Sequence, residues 1–289
     1  MIKNKTLPDP RIAQLESLLL WEGRLNNARL RELFDLKGVR ASEWIRAFRE
    51  QRPDWCNWDT VTKSFHATDE AYRHGPSTDN GGYGTTTSLA QYLALVGIPH
   101  TSFESSLNPR AWAAFSDISV PRPRIYATIS EAIRLRTGVE ITYMSMREPK
   151  PHLRIIYPHS LIQAGRRWHT RAYSIENQQF RDYALGRIVS AKLCDDISAK
   201  NEKDDEAWMA NVRVRLVAHP DLNPDQENMI RFEYFGKTAA RVDTCRGALV
   251  NYYIYDIRAA IDTATQKPPE YQLAVANVDE IKKWLFPLK

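Results

Sequence analysis

Apolar positions near the amino terminus repeat at helical spacing. Ile12, Leu15, Leu18, Leu19 and Trp21 share one helix face, with Asp9 as cap, Pro10 at the first helical position and Gly23 as stop. Leu30, Leu33 and Phe34 make a second stripe, capped by Asn26 or Asn27. After a turn at Lys37-Gly38-Val39, a third stripe of Ala41, Trp44, Ile45 and Phe48 predicts a helix over Ala41 to Gln51. Beyond Pro53 the period changes to two. Trp55, Trp58, Val61 and Phe65 alternate with polar residues about Thr62-Lys63-Ser64, which predicts a short hairpin. Three helices with a tight Gly-containing turn between the last two, closed by a hairpin, make a winged helix-turn-helix over residues 1–75.

Residues 76–123 hold short helices at Ser88 to Val96 and Ala111 to Phe115, a bracing segment that ends in the stiff linker Pro121-Arg122-Pro123. Thr128 and Glu131 form a capping box for a helix ending at Gly138. Strands follow at Val139 to Ser145, Arg154 to Leu161, Arg166 to Tyr173 and Phe180 to Ile188, which fill residues 124–193. Residues 194–206 carry six acids between Asp195 and Glu206 without alternating apolar positions, a hydrated linker rather than a metal-dependent nuclease site. Residues 207–289 read as a small α+β domain. It runs strand Ala210 to His219, helix Pro224 to Phe235 behind Asn223, strands Ala239 to Cys245 and Leu249 to Ile257, and a closing helix capped by Asp279. Tyr252, Tyr253 and Tyr255 either line a partner interface or pack within that domain.

The strand Arg166 to Tyr173 carries the chemistry. Trp168, Thr170 and Ala172 point one way, suiting a barrel interior, while Arg167, His169, Arg171 and Tyr173 point the other, with no acid among them. A row of guanidinium and imidazole donors without counter-charges suits an anion, and arginine in place of lysine suits bidentate phosphate recognition. The regional charge agrees. Ser119 to Leu193 holds 13 Lys+Arg against 5 Asp+Glu, whereas the whole chain is only +5. On the third helix, Arg40, Ser42, Glu43, Arg46 and Arg49 face outward. Arg46 or Arg40 can make a bidentate contact to guanine and Glu43 can accept from cytosine. Lys63, Ser64 and His66 on the wing would meet phosphate or the minor groove. Residues 1–75 are only mildly basic, 13 Lys+Arg against 11 Asp+Glu, so one copy binds duplex weakly and two copies on two half-sites are expected.

The residues that form the central domain resemble a WYL domain, the small Sm-like β-barrel of bacterial transcriptional regulators. The resemblance runs from Ile129 to Leu193 and includes Val139-Glu140-Ile141-Thr142-Tyr143-Met144-Ser145, Arg154 to Leu161 and Arg187-Ile188, with Trp168-His169-Thr170 where the family has Trp-Tyr-Leu. The domain order is similar to regulators of the BREX and CBASS phage-defence loci. It implies an α+β multidomain chain: winged helix, Sm/SH3-like WYL barrel and a C-terminal dimerisation domain. It also implies an effector pocket of Tyr143, Ser145, Arg154, His169, Arg171 and Arg187, the arginines holding phosphate and the others orienting base, sugar or phosphate oxygens.

Other classes fit less well. Cys56, Cys194 and Cys245 are odd in number and far apart, which argues against a disulfide framework or zinc site and for a reducing cytoplasm. Neither a signal peptide nor a membrane-spanning apolar run is present. HExxH, Walker and GxSxG signatures are missing, so neither an enzyme nor a cofactor is expected. The expected function is a homodimeric repressor that binds an inverted repeat in double-stranded DNA and answers to a nucleotide or nucleic-acid fragment. The alternative is an RNA- or single-stranded-DNA-binding protein whose barrel, with Tyr143, Tyr173 and Tyr183 for stacking, is the main reader.

Overall fold

The computed structural model describes residues 10–74, 89–97, 119–165, 167–197 and 200–286. Helix α1 (Pro10–Glu22) ends at Gly23, whose φ of +74° and whose approach to the Ala127 side chain both favour glycine. Strand β1 (Arg24–Leu25) leads into α2 (Asn27–Phe34), capped by the Asn26 side chain, which accepts from the Arg29 N–H at 2.8 Å. Helix α3 (Gly38–Gln51) starts one turn earlier than its apolar stripe implies. Gly38 is therefore helical, and the chain bends at Asp35, at φ +50°. Strands β2 (Cys56–Asp59) and β3 (Ser64–Ala67) form the hairpin, and β1 adds to it in the order β1-β3-β2. Val61, expected inside a strand, sits at the hairpin tip and is 88% exposed. Helices α4 (Asp69–His74) and α5 (Leu89–Leu95) follow. The Asp9 cap, the Ala111 to Phe115 helix and Arg166 lie outside the described residues.

Pro121-Arg122-Pro123 is no linker. Pro123 opens α6 (Pro123–Leu135), and the Arg122 guanidinium donates to the Ile188 and Val189 carbonyls. The helix stops at Arg136, at φ +56°, before Gly138. Thr128 lies mid-helix, its hydroxyl donating to the Arg124 carbonyl at 2.8 Å, so it caps nothing. Proline at the first position, with no N–H to satisfy, won over the Thr-x-x-Glu pattern. Strands β4 (Thr137–Tyr143), β5 (His152–Ala164), β6 (Arg167–Ser174), β7 (Gln179–Ala184) and β8 (Ile188–Ile197) form one sheet in the order β7-β6-β5-β4-β8. Between β7 and β8 a 3-10 turn, Leu185–Arg187, breaks the strand expected to run through to Ile188. Among the described residues β7 and β8 are the two edges, so the sheet is open rather than the closed small barrel expected. Strand β8 also carries Asp195 and Asp196, which shortens the expected acidic linker.

These elements, apart from the last two residues of β5, belong to one compact unit. The other is drawn from Gln163–Gly165 and Ala199–Lys289. It contains α7 (Glu206–Met209), β9 (Asn211–Ala218), α8 (Pro224–Tyr234), β10 (Arg241–Arg246), α9 (Val250–Asp256), β11 (Ala259–Ala260), β12 (Leu273–Val275) and α10 (Val278–Ile281). Its sheet runs β10-β9-β12-β11 over a core of Val212, Val214, Leu216, Ile230, Val250 and Ile254. Asn223 caps α8, as the sequence suggests, and Gln226 completes a reciprocal capping box with it. Leu249 to Ile257 is helix, not strand. Its aromatic and β-branched composition favours a strand, but Val250, Asn251 and Ile254 are buried at i, i+1 and i+4, a helix face. Tyr253 within it donates to the Asp243 carboxylate, while Tyr255 is exposed.

In the first unit four buried rings run from the winged helix to the sheet. Trp21 on α1 stacks with Tyr92 on α5 at 6.2 Å, and both meet Tyr126 on α6 edge-on, at 5.5 and 5.9 Å. Tyr126 meets Trp168 on β6 edge-on at 5.5 Å. Each such pair contributes about 0.5–1.5 kcal/mol beyond the area it buries. The Tyr126 phenol, buried and near Glu22, is pushed well above its ordinary range.

Candidate functional site

The winged helix exposes one face of α3. Val39, Glu43, Arg46 and Glu50, spaced i, i+4, i+7 and i+11, form its central stripe, with Arg40, Ser42 and Arg49 at the margins. Arg46 is 75% exposed, with Glu50 at 4.0 Å. Arg40 donates to Glu43 at 3.0 Å, so the two exposed side chains hold each other. Arg49 lies over the Phe65 ring at 4.6 Å and ties α3 to the wing. Asn27, at the start of α2, donates to the Gly38 carbonyl at 2.7 Å and the Ser42 hydroxyl at 2.8 Å, which holds the first turn of α3 against α2. Lys63 is exposed at the hairpin turn, where φ is +49°. Ser64 is a correction. It is fully buried, accepting from the Asn26 amide at 3.2 Å and donating to the Thr62 carbonyl at 3.1 Å, and cannot touch DNA. His66 sits in β3 opposite Arg24, its Nε2 2.7 Å from the Thr62 hydroxyl and 3.6 Å from Asp59, rather than at the tip.

The six expected effector residues do not converge. Directly paired residues of an antiparallel ladder share a face. Ile141 pairs with Arg154, and Val139 with Ile156, which puts Arg154 on the core-facing side with Tyr143. His169 pairs with Ala184, Arg171 with Asp182 and Tyr173 with Phe180, on the face opposite Trp168, Thr170 and Ala172. The expected absence of counter-charge is also corrected. Arg154 donates to Glu148 and Glu176, both at 2.7 Å, and to His152 at 2.7 Å, a clasp between β5, the loop after β4 and the β6–β7 turn. Ser145 serves that clasp, since its hydroxyl accepts from the Glu148 N–H at 2.9 Å. The Tyr143 hydroxyl accepts from the Ala184 N–H at 3.3 Å. Arg171 donates to Asp182 at 3.2 Å, with both side chains about nine-tenths buried.

What remains together is His169, Arg171 and Arg187, with Arg167, which lies on the same strand and face as His169 and Arg171. His169 is buried, and burial first, then the charges of Arg167 and Arg187, hold its imidazole below the ordinary 6.5, against the pull of Asp182. A neutral imidazole among three guanidiniums and one carboxylate leaves a surplus of positive charge, and an anion there would favour the protonated ring. Asp182 was legible in principle. It stands across the hairpin from Arg171, and pairing the two strands residue by residue would have exposed it. Glu148 and Glu176, on loops, carry no such signal. Among the described residues no group of three or more His, Cys, Asp or Glu could hold a metal, and no helix is long and apolar enough to cross a membrane.

Comparison with known proteins matches three family descriptions in sequence order. They are the BrxR transcriptional regulator winged helix-turn-helix domain over residues 9–80, the WYL domain over 124–193 and the BrxR C-terminal dimerization domain over 211–281. The chain is 30% identical over 280 residues to the DNA-binding transcriptional repressor CapW of Pseudomonas aeruginosa, covering 94% of this chain and 90% of that one. It is 30% identical over 289 residues to CapW of Escherichia coli strain KTE188, covering 94% and 89%, and 29% identical over 284 residues to that of Stenotrophomonas maltophilia, covering 95% and 91%. Among solved structures, PafBC of Arthrobacter aurescens matches at 12% identity and a TM-score of 0.27, over 96% of this chain but only 47% of that one. This chain thus spans about half of PafBC, and the superposition carries no argument.

Proposed function

Because the chain belongs to the BrxR and CapW family of winged-helix WYL transcriptional regulators, we propose that it is a homodimeric, DNA-binding transcriptional repressor of a phage-defence operon. The observation that carries this reading is the outward face of α3, arginine-bearing, polar except for Val39, and held in place by Asn27 and by the Arg49–Phe65 contact. Helix α3 enters the major groove, where Arg46 and the Arg40–Glu43 pair reach base edges, and Lys63 meets a phosphate. Two copies read an inverted repeat, joined through the C-terminal domain, where Met229 and Phe232 on α8 stay exposed as apolar surface for a second copy to cover. The anionic effector, a nucleotide or nucleic-acid fragment, sits at His169, Arg167 and Arg187, with Arg171 held behind them by Asp182. The clasped Arg154, with Tyr143 and Ser145, then supports the site rather than contacting the ligand.

Effector binding alters DNA affinity only insofar as it favours one arrangement of the two winged helices. The Trp21–Tyr126–Trp168 contacts supply a physical connection, since Trp168 is the chain neighbour of His169 and Trp21 lies in the reader. Footprinting of the purified full chain on the DNA upstream of its own coding sequence tests the reading. Two protected half-sites about one or a few helical turns apart are expected. Equal affinity for random duplex, or a preference for single strands, would overturn it in favour of the five-stranded WYL sheet as main reader.

A further inference from the structure

Val39 is the one large apolar side chain on the outward stripe of α3, and it is 76% exposed. An exposed valine alone is ordinary. Its setting is not. Among the described residues it lies outside the core: the buried residues of α3 are Ala41, Ile45 and Phe48, on the other side. A β-branched residue is also a poorer helix former than most alternatives at a solvated position. Yet this turn is among the best anchored of the helix, because Asn27 holds both Gly38 and Ser42, which flank Val39 on the helix, at 2.7 and 2.8 Å. The stripe it heads continues through Glu43 and Arg46, each suited to one base edge. In helix-turn-helix readers the amino-terminal residues of the recognition helix are the ones that reach bases.

We infer that Val39 is a specificity-determining residue of the reader, and that its side chain packs against the 5-methyl group of a thymine in each half-site. The chemistry is a match of apolar surfaces. The major-groove edge of thymine is the one natural edge that presents a methyl group, and an apolar side chain distinguishes it without a hydrogen bond. Because Asn27 fixes the turn, the contact requires no ordering of the helix on binding, and the methyl group of thymine exchanges water for the valine side chain. Glu43, one turn on, would read the neighbouring base pair, so that thymine lies next to the position where Glu43 acts. The inference rests on the proposed DNA-binding function and adds to it one named contact.

The test separates the two. The full-length protein is first used to select its preferred duplex from a random library. Each thymine of that duplex is then replaced in turn by deoxyuridine, which removes the methyl group and nothing else. For the native protein, one position per half-site is expected to lose about fourfold in affinity, the worth of burying roughly one methyl group. Val39→Ala, which removes the contact from both half-sites of the dimer, is expected to bind the unmodified duplex weaker by about the square of that factor, roughly 16-fold, and to be indifferent to deoxyuridine at that position. Its response to changes at every other position should stay native. Val39→Ser, equally exposed, should behave like Val39→Ala. If a duplex is selected but no thymine is methyl-sensitive, or if Val39→Ala keeps the native sensitivity, the assignment is overturned while the DNA-binding reading stands. If no duplex is selected above random sequence, the DNA-binding reading falls and takes this assignment with it.

Discussion

The ring of Tyr126 stands edge-on to that of Trp168, with 5.5 Å between centroids and 77° between planes. The same tyrosine meets Trp21 at 5.5 Å and 83°, so one side chain of α6 joins the reader to the strand that carries His169. Removing it opens a cavity between them. Tyr126→Ala should cost about 3–5 kcal/mol, in the range of large aromatic truncations in a core. Tyr126→Phe, which keeps the ring, should cost under about 1 kcal/mol. Urea unfolding followed by tryptophan fluorescence and by far-ultraviolet circular dichroism decides it. Coincident shifts are expected, because reader and sheet belong to one compact unit.

The Arg171–Asp182 pair calls for a different experiment. Both side chains are largely buried, so truncating one removes a charged partner from the other's buried charge. Asp182→Asn should destabilise by about 3–5 kcal/mol, whereas replacing both residues with apolar ones of similar volume should cost far less than the sum of the single changes. A double-mutant cycle in urea measures the difference. For effector response, Arg187→Ala is the cleaner probe. Among the described residues no ion pair holds the Arg187 side chain, so its loss should leave the melting temperature within a few degrees while weakening nucleoside triphosphate binding.

His169 sets a pH dependence. Its folded pKa lies below the ordinary 6.5 chiefly because it is buried. The unfolded chain therefore binds more protons as pH falls below about 6.5, and stability falls with it until the folded pKa is passed. Lowering pH from about 7 to about 5.5, above the ordinary range of carboxylates, should reduce the urea midpoint, and His169→Gln should flatten that slope. Anion binding works the other way. A phosphate beside the ring favours its protonated form, so triphosphate affinity should rise over the same fall in pH, and calorimetry in buffers of different ionisation enthalpy should show proton uptake.

Reader contacts separate by what they touch. Arg46→Ala, at an exposed position, should leave stability unchanged within about 0.5 kcal/mol. It should cost about 1–3 kcal/mol on one base pair, relaxing selectivity there alone. Lys63→Ala should weaken binding to all duplexes alike and make the salt slope of log K shallower by about one, as expected when a single phosphate is no longer neutralised. Titrations of selected and scrambled duplexes at several salt concentrations distinguish the two behaviours.

The helices of the reader were legible because Leu15, Leu18 and Leu19, or Ala41, Ile45 and Phe48, bury one face at a period the chain itself displays. The same holds for β9, where Val212, Val214 and Leu216 alternate with exposed Asn211, Arg213 and Arg215. Leu249 to Ile257 misled because residue type and spacing disagreed, and packing followed spacing. Strand β1 escaped notice because two residues show no period, and only its pairing with β3 makes Arg24–Leu25 a strand.

Sequence alone determined the helices of the winged helix, the outward arginines of α3 and the facing of Trp168 against His169, since each follows from local periodicity along a few residues, and the order of the three domains followed from these elements together with the resemblance of the central motifs. Tertiary structure decided what those side chains meet. Ser64 went inside, Arg154 and Arg171 acquired carboxylates, and of the six residues expected in one pocket Tyr143 and Arg154 fell on one face of an open sheet, His169 and Arg171 on the other, and Ser145 and Arg187 in the connections between strands. The reason is that charge compensation comes from partners distant along the chain or on loops, and register and chain path, not the pattern of any one strand, bring them together.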